Sequence, residues 1–197
     1  MVQVGDSWYH FDVTYNDPSP DVAGTCLGEW ALLSTGALCT RQGGTHYVLD
    51  DWEYEKPVSC TNTNYDNLFW HDAISPFLYL DGAWYYVSPS GLMRWNGSSA
   101  AASSVVSFPE LYREWYPSRS FSLLCFSSGL FAHQGQVYFN SSFHVLRYDP
   151  STGRAERCVH LLEHGKGART CYLSGSGDGL MYLDNDDSYY FVPFAEM

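Results

Sequence analysis

The residues of this 197-residue chain that could do chemistry fall into four groups. The first is Asp12. Along Ser7 to Thr14 the pattern is that of a strand, with Trp8, His10, Asp12 and Thr14 on one face and Tyr9, Phe11 and Val13 on the other. The Asp12 carboxylate has no evident user elsewhere in the chain. The second group is Cys26 with His10 or His46, a rebuilt thiol–imidazole dyad. Cys26 sits on a Gly/Pro loop, where an ordinary thiol is the simpler expectation. The third is the run Asp184-Asn185-Asp186-Asp187, whose oxygens could gather around calcium. It lacks the glycine and distal glutamate of an EF-hand loop, so a solvated acidic turn is expected. The fourth is the aromatic surplus, among it Trp52, Trp70, Trp84, Trp95 and Trp115. Some of these rings could form a stacking platform for sugar or peptide, while most should be core. The sequence does not choose which.

The element that must position Asp12 is a hairpin. Gly5-Asp6 has the composition of a two-residue turn between VQV and WYHFDVT, and it predicts Val4 opposite Ser7. The run Trp8-Tyr9-His10-Phe11-Asp12-Val13-Thr14, continuing into Tyr15-Asn16-Asp17-Pro18, resembles the aspartate motif of bacterial transglutaminase-like proteins, which usually have Trp where this chain has Tyr15. Leu33-Ser34, Thr45-His46, Pro57 and Cys60-Thr61-Asn62-Thr63-Asn64-Tyr65-Asp66-Asn67 resemble the segment downstream of that motif in clostridial-type members.

The resemblance implies a Cys-His-Asp triad in which Asp12 orients the histidine. In that family the cysteine lies well upstream, and the histidine sits in a His-Ala-Trp-Asn segment on the preceding strand. Carrying the hairpin register back from Asp12 places its partner two residues before Met1. The expectation is that the chain begins just after the histidine, with Met1 an internal methionine of a longer protein or a misplaced start. One third of a triad gives no activity alone. The full-length protein would be a cysteine peptidase, amidase or transglutaminase-like enzyme.

Composition narrows the rest. Lys+Arg number 10 and Asp+Glu 22, so the formal charge is −12, and no basic stripe exists for a nucleic-acid backbone. Six cysteines, Cys26, Cys39, Cys60, Cys125, Cys158 and Cys171, include no C-x-x-C pair, and buried free thiols are expected. Nothing calls for a metal or other cofactor. No apolar run is long enough to span a bilayer, and Met1 is not followed by a signal segment.

From Leu68 onward a repeat emerges. Asp81-Gly82 before Ala83-Trp84-Tyr85-Tyr86-Val87, Gln134-Gly135 before Gln136-Val137-Tyr138-Phe139 and Gly177-Asp178-Gly179 before Leu180-Met181-Tyr182-Leu183 are each a turn and an aromatic strand. Apolar strands precede them at Phe77–Leu80, Leu130–Ala132 and Cys171–Leu173, and return strands come after. Ala100 to Pro117 reads as an ordered long loop in which Val105-Val106 could form a strand, and Ser34 predicts an N-cap for a helical turn over Thr35 to Cys39. The phrase Leu146-Arg147-Tyr148-Asp149-Pro150-Ser151-Thr152-Gly153 resembles blades of bacterial β-propellers. The predicted fold is mainly β: antiparallel sheets as about three propeller-like blades in residues 68–197, incomplete or open, after a transglutaminase-like remnant in residues 1–67.

The function expected is a non-catalytic accessory or binding module of a larger bacterial transglutaminase-like protein, extracellular or at the cell surface. Its ligand would be cell-wall material, polysaccharide or protein. The alternatives are part of an active Cys-His-Asp enzyme, or a structural β-repeat that forms homo-oligomers through open sheet edges.

Overall fold

In the computed structural model the described residues are 1–11, 31–41, 59–73, 75–88, 90–98, 101–107, 129–140, 144–161, 168–173, 177–184 and 188–197. They form fourteen strands and one α-helix, so the fold is mainly β.

The first sheet holds β1 (Val2–Val4), β2 (Ser7–Phe11) and β3 (Ala31–Leu33), in that order. Val4 faces Ser7, as the turn composition predicts, and Gly5 takes φ +59°, suited to a II′ turn. Between His10 and Phe11 the pairing to β3 shifts by one residue, and the extra residue, Leu32, takes φ +56°. A left-handed leucine is costly, about 1 kcal/mol or more, and must be held by its surroundings. Helix α1 (Thr35–Arg41) comes directly after.

The second sheet is β4 (Leu78–Leu80), β5 (Ala83–Ser88), β6 (Gly91–Trp95) and β7 (Ser103–Ser107). The third is β8 (Leu130–His133), β9 (Gln136–Asn140), β10 (His144–Asp149) and β11 (Arg154–His160), and the fourth is β12 (Ala168–Leu173), β13 (Gly179–Asp184) and β14 (Tyr189–Pro193). Every sheet is an antiparallel meander in chain order. The tight turns arise from their residues: Asp81-Gly82 takes φ +47° and +78°, and Gln134-Gly135 takes +50° and +76°, the paired left-handed geometry of a I′ turn.

Two cores lie between successive sheets. Ala83, Tyr85, Val87 and Leu92 of the second meet Val137, Phe139, Leu146 and Tyr148 of the third. Phe131, Tyr138, Val145 and Val159 on the third meet Leu180, Tyr182 and Val192 on the fourth. The third meander is thus buried on both faces by period-two alternation, with Val137 and Phe139 on one side and Tyr138 on the other. Gly91 is required where β6 passes β7. Its φ is +134°, and a Cβ there would strike the Val106 carbonyl oxygen.

Candidate functional site

The chemistry anticipated at Asp12 lies outside the described residues, as do Cys26, His46, Asn185, Asp186, Asp187, Trp52 and Trp115. The strand residues that precede Asp12 are described. Trp8 is half exposed while Tyr9 and His10 are buried, so the end of β2 is covered on both faces. His10 Nε2 lies 2.9 Å from Thr35 Oγ1, a hydroxyl that also accepts the Cys60 N–H at 2.8 Å. Thr35 N–H in turn donates to the Cys60 carbonyl at 2.8 Å. Ser34 donates both its N–H and its Oγ–H to the Asp66 carboxylate, each at 2.6 Å, and its Oγ accepts Ala37 N–H at 3.1 Å. The N-cap predicted from sequence is therefore present. The ties to Cys60 and Asp66 were not legible, because they join segments 25 and 32 residues apart.

This network fastens β2, α1 and the segment from Cys60 to Asp66 together. It does not activate Cys60. Burial pushes that thiol up, the Met1 amino group offsets part of the effect, and the thiol lies 3.8 Å from the Met1 sulfur. A neutral buried thiol is a poor nucleophile. Cys60 and Cys158 are both free thiols, the first buried and the second half-buried, with Cys158 also pushed up by burial. Among the described residues no three His, Cys, Asp or Glu side chains gather as a metal site.

The aromatic platform is where the structure makes a choice. Strand β5 alternates, so Ala83, Tyr85 and Val87 enter the core with the third meander while Trp84 and Tyr86 face the other way. Trp84 stands opposite Tyr79 of β4 and opposite Trp95 of β6, a row of three aromatic residues across three strands. Tyr79 and Trp84 have ring centroids 5.1 Å apart. The 3-10 turn Phe69–Asp72 lies over this face. Phe69 packs against Trp95 at 4.8 Å, Tyr86 at 5.5 Å and Trp70 at 5.7 Å. Trp70 continues the chain of rings through Tyr65 to Tyr9 of the first meander.

Where this aromatic face meets the first meander a groove of about 540 Å³ opens. Phe69, Trp70, Phe77, Trp84 and Trp95 line one side, and Val2, Phe11, Ala31 and the left-handed Leu32 the other. Its lining is almost wholly apolar. Trp84 is 39% exposed and Phe77 36%, so the groove opens to solvent. Three of the five tryptophans singled out in the sequence meet here. Leu32 and Phe11 carried no signal that could have placed them here, since the bulge that sets Leu32 has no glycine to announce it.

A second, polar depression of about 390 Å³ lies over β10 and β11, lined by Gln136, Arg147, Asp149, Thr152 and Arg154 with Ala155 and Glu156. Arg147 is ion-paired to Glu156, and Asp149 accepts from Ser151 N–H and Oγ–H, which hold its carboxyl below the usual range. Arg147, Glu156 and Asp149 thus find partners within the protein, whereas the apolar groove is open to solvent. In comparisons with known proteins, no family model matches this chain and no curated protein matches it.

Proposed function

We propose that this chain is a non-catalytic binding module that takes its ligand in the groove between the first and second meanders. The observation that carries the reading is the assembly of Phe69, Trp70, Phe77, Trp84 and Trp95 around an open apolar groove on the sheet face turned away from the core. Water-facing aromatic surface of this kind is costly to leave bare and characteristic of recognition sites. Between polysaccharide and protein, a protein segment is the better fit. A sugar needs polar partners for its hydroxyls, and this lining supplies almost none.

The series of face-packed meanders supports a propeller-like array, with β4, β8 and β12 as the strands that approach one another. The Asp12 motif supports placement within a larger bacterial transglutaminase-like protein, acting at extracellular or envelope material.

Retention of the purified chain on peptidoglycan, envelope polysaccharide and envelope protein fractions tests this. Retention by protein, reduced at least about tenfold by Trp84→Ala, is expected. Retention by no fraction, or retention unaffected by Trp84→Ala, would refute the groove as the binding site.

A further inference from the structure

We infer that the segment bound in the groove sets an apolar side chain between the tryptophans and carries an arginine or lysine beside it. The inference rests on the groove being a binding site and adds the chemistry of its occupant. Tyr79, Trp84 and Trp95 stand in register across β4, β5 and β6, and Tyr79 is 60% exposed. Indole and phenol faces attract cations as well as apolar groups.

The carboxylates described beside the aromatic face lean the same way. Asp72 ends the 3-10 turn that supplies Phe69 and Trp70. Its carboxylate acts on Tyr86, whose ring packs on Phe69 and Phe77. Asp81 occupies the turn between the strands of Tyr79 and Trp84. The arginine next to Trp95 points away: Arg94 sits on the opposite face of β6, where its Nε–H donates to Tyr85 Oη at 3.2 Å. Tyr85 itself belongs to the core shared with the third meander. The long-range field of a chain with formal charge −12 adds to the local carboxylates. A basic flank therefore gains Coulomb attraction and a cation–π contact. An acidic flank meets like charge.

Three short fluorescent peptides test this by anisotropy on the full chain: leucine between arginines, leucine between glutamates, and alanine between arginines. The first should bind at least about tenfold more tightly than the other two. Trp84→Ala should weaken it about fivefold or more, and Asp72→Asn about threefold with a shallower salt dependence. Tyr189→Ala, on the fourth meander, should leave it unchanged. Should Trp84→Ala fail to fold, Tyr79→Ala takes its place. Equal binding of the arginine and glutamate peptides, both lost in Trp84→Ala, overturns the basic flank and leaves the groove standing as a site. Binding by none of the three overturns the inference, and the groove itself then falls if envelope protein is not retained or its retention survives Trp84→Ala.

Discussion

Ser34 is the residue on which the local geometry turns. Its hydroxyl caps α1 through Ala37 N–H while donating to Asp66, and its own N–H donates to the same carboxylate. Ser34→Ala removes the cap and one of the carboxylate's two donors, and should cost about 2 kcal/mol in urea unfolding. Asp66→Ala should cost a similar amount, and the double variant should fall short of the sum, because the two side chains share one interaction. The tyrosine beneath the groove gives a pH signature. Burial, with Asp72 nearby, pushes Tyr86 from 10.0 up to about 12. The folded state therefore holds this proton more tightly than the unfolded chain. The stabilisation is complete below pH 10 and is lost as the pH rises through about 12. Melting temperature should fall across that window, and Tyr86→Phe should flatten the fall. An equal fall in both proteins would contradict this origin. Tyr148, raised in the same direction by burial, contributes equally to each.

At the scale of elements, the meanders were legible because their turns and periods agree. Asp81-Gly82 and Gln134-Gly135 are dipeptides with a glycine second, and each lies between aromatic strands. Both adopt the paired left-handed turn that such strands require. Gln134 is the weaker choice at φ +50°, where asparagine is more at ease. Gln134→Asn should raise stability by about 0.5 kcal/mol and the melting temperature by about 1–2 °C. Gly91 is the opposite case. With φ +134° and the Val106 carbonyl in the way, Gly91→Ala should destabilise by at least about 2 kcal/mol. The stretch from Ala100 reads as a long loop with Val105-Val106 as its one strand signal, and β7 extends to either side of that pair, Ser103–Ser107. The bulge at Leu32 was not legible, since a leucine in left-handed backbone is imposed by tertiary packing rather than announced by local preference.

At the scale of the molecule, the β architecture and the aromatic content could be read in advance, but not the site. Trp70, Trp84 and Trp95 were visible as candidates among other tryptophans of equal standing. What selects them is the parity of β5, the register that lines up Tyr79, Trp84 and Trp95, and a 3-10 turn laid across that face. None of these can be obtained from composition, because each depends on which face of a sheet meets which neighbour. The transglutaminase-like motif stands as a reading of sequence alone, with Asp12 outside the described residues. The central claim is that ligand is held at the aromatic face of the second meander. It is tested most directly by site-specific photocrosslinking, with benzoylphenylalanine in place of Tyr79 or, as control, Tyr189, both strongly exposed. In the presence of envelope protein from the source organism, the account predicts an adduct from position 79 that disappears with Trp84→Ala, and none from position 189. Adducts from position 189 alone, or from both positions regardless of Trp84, would contradict it.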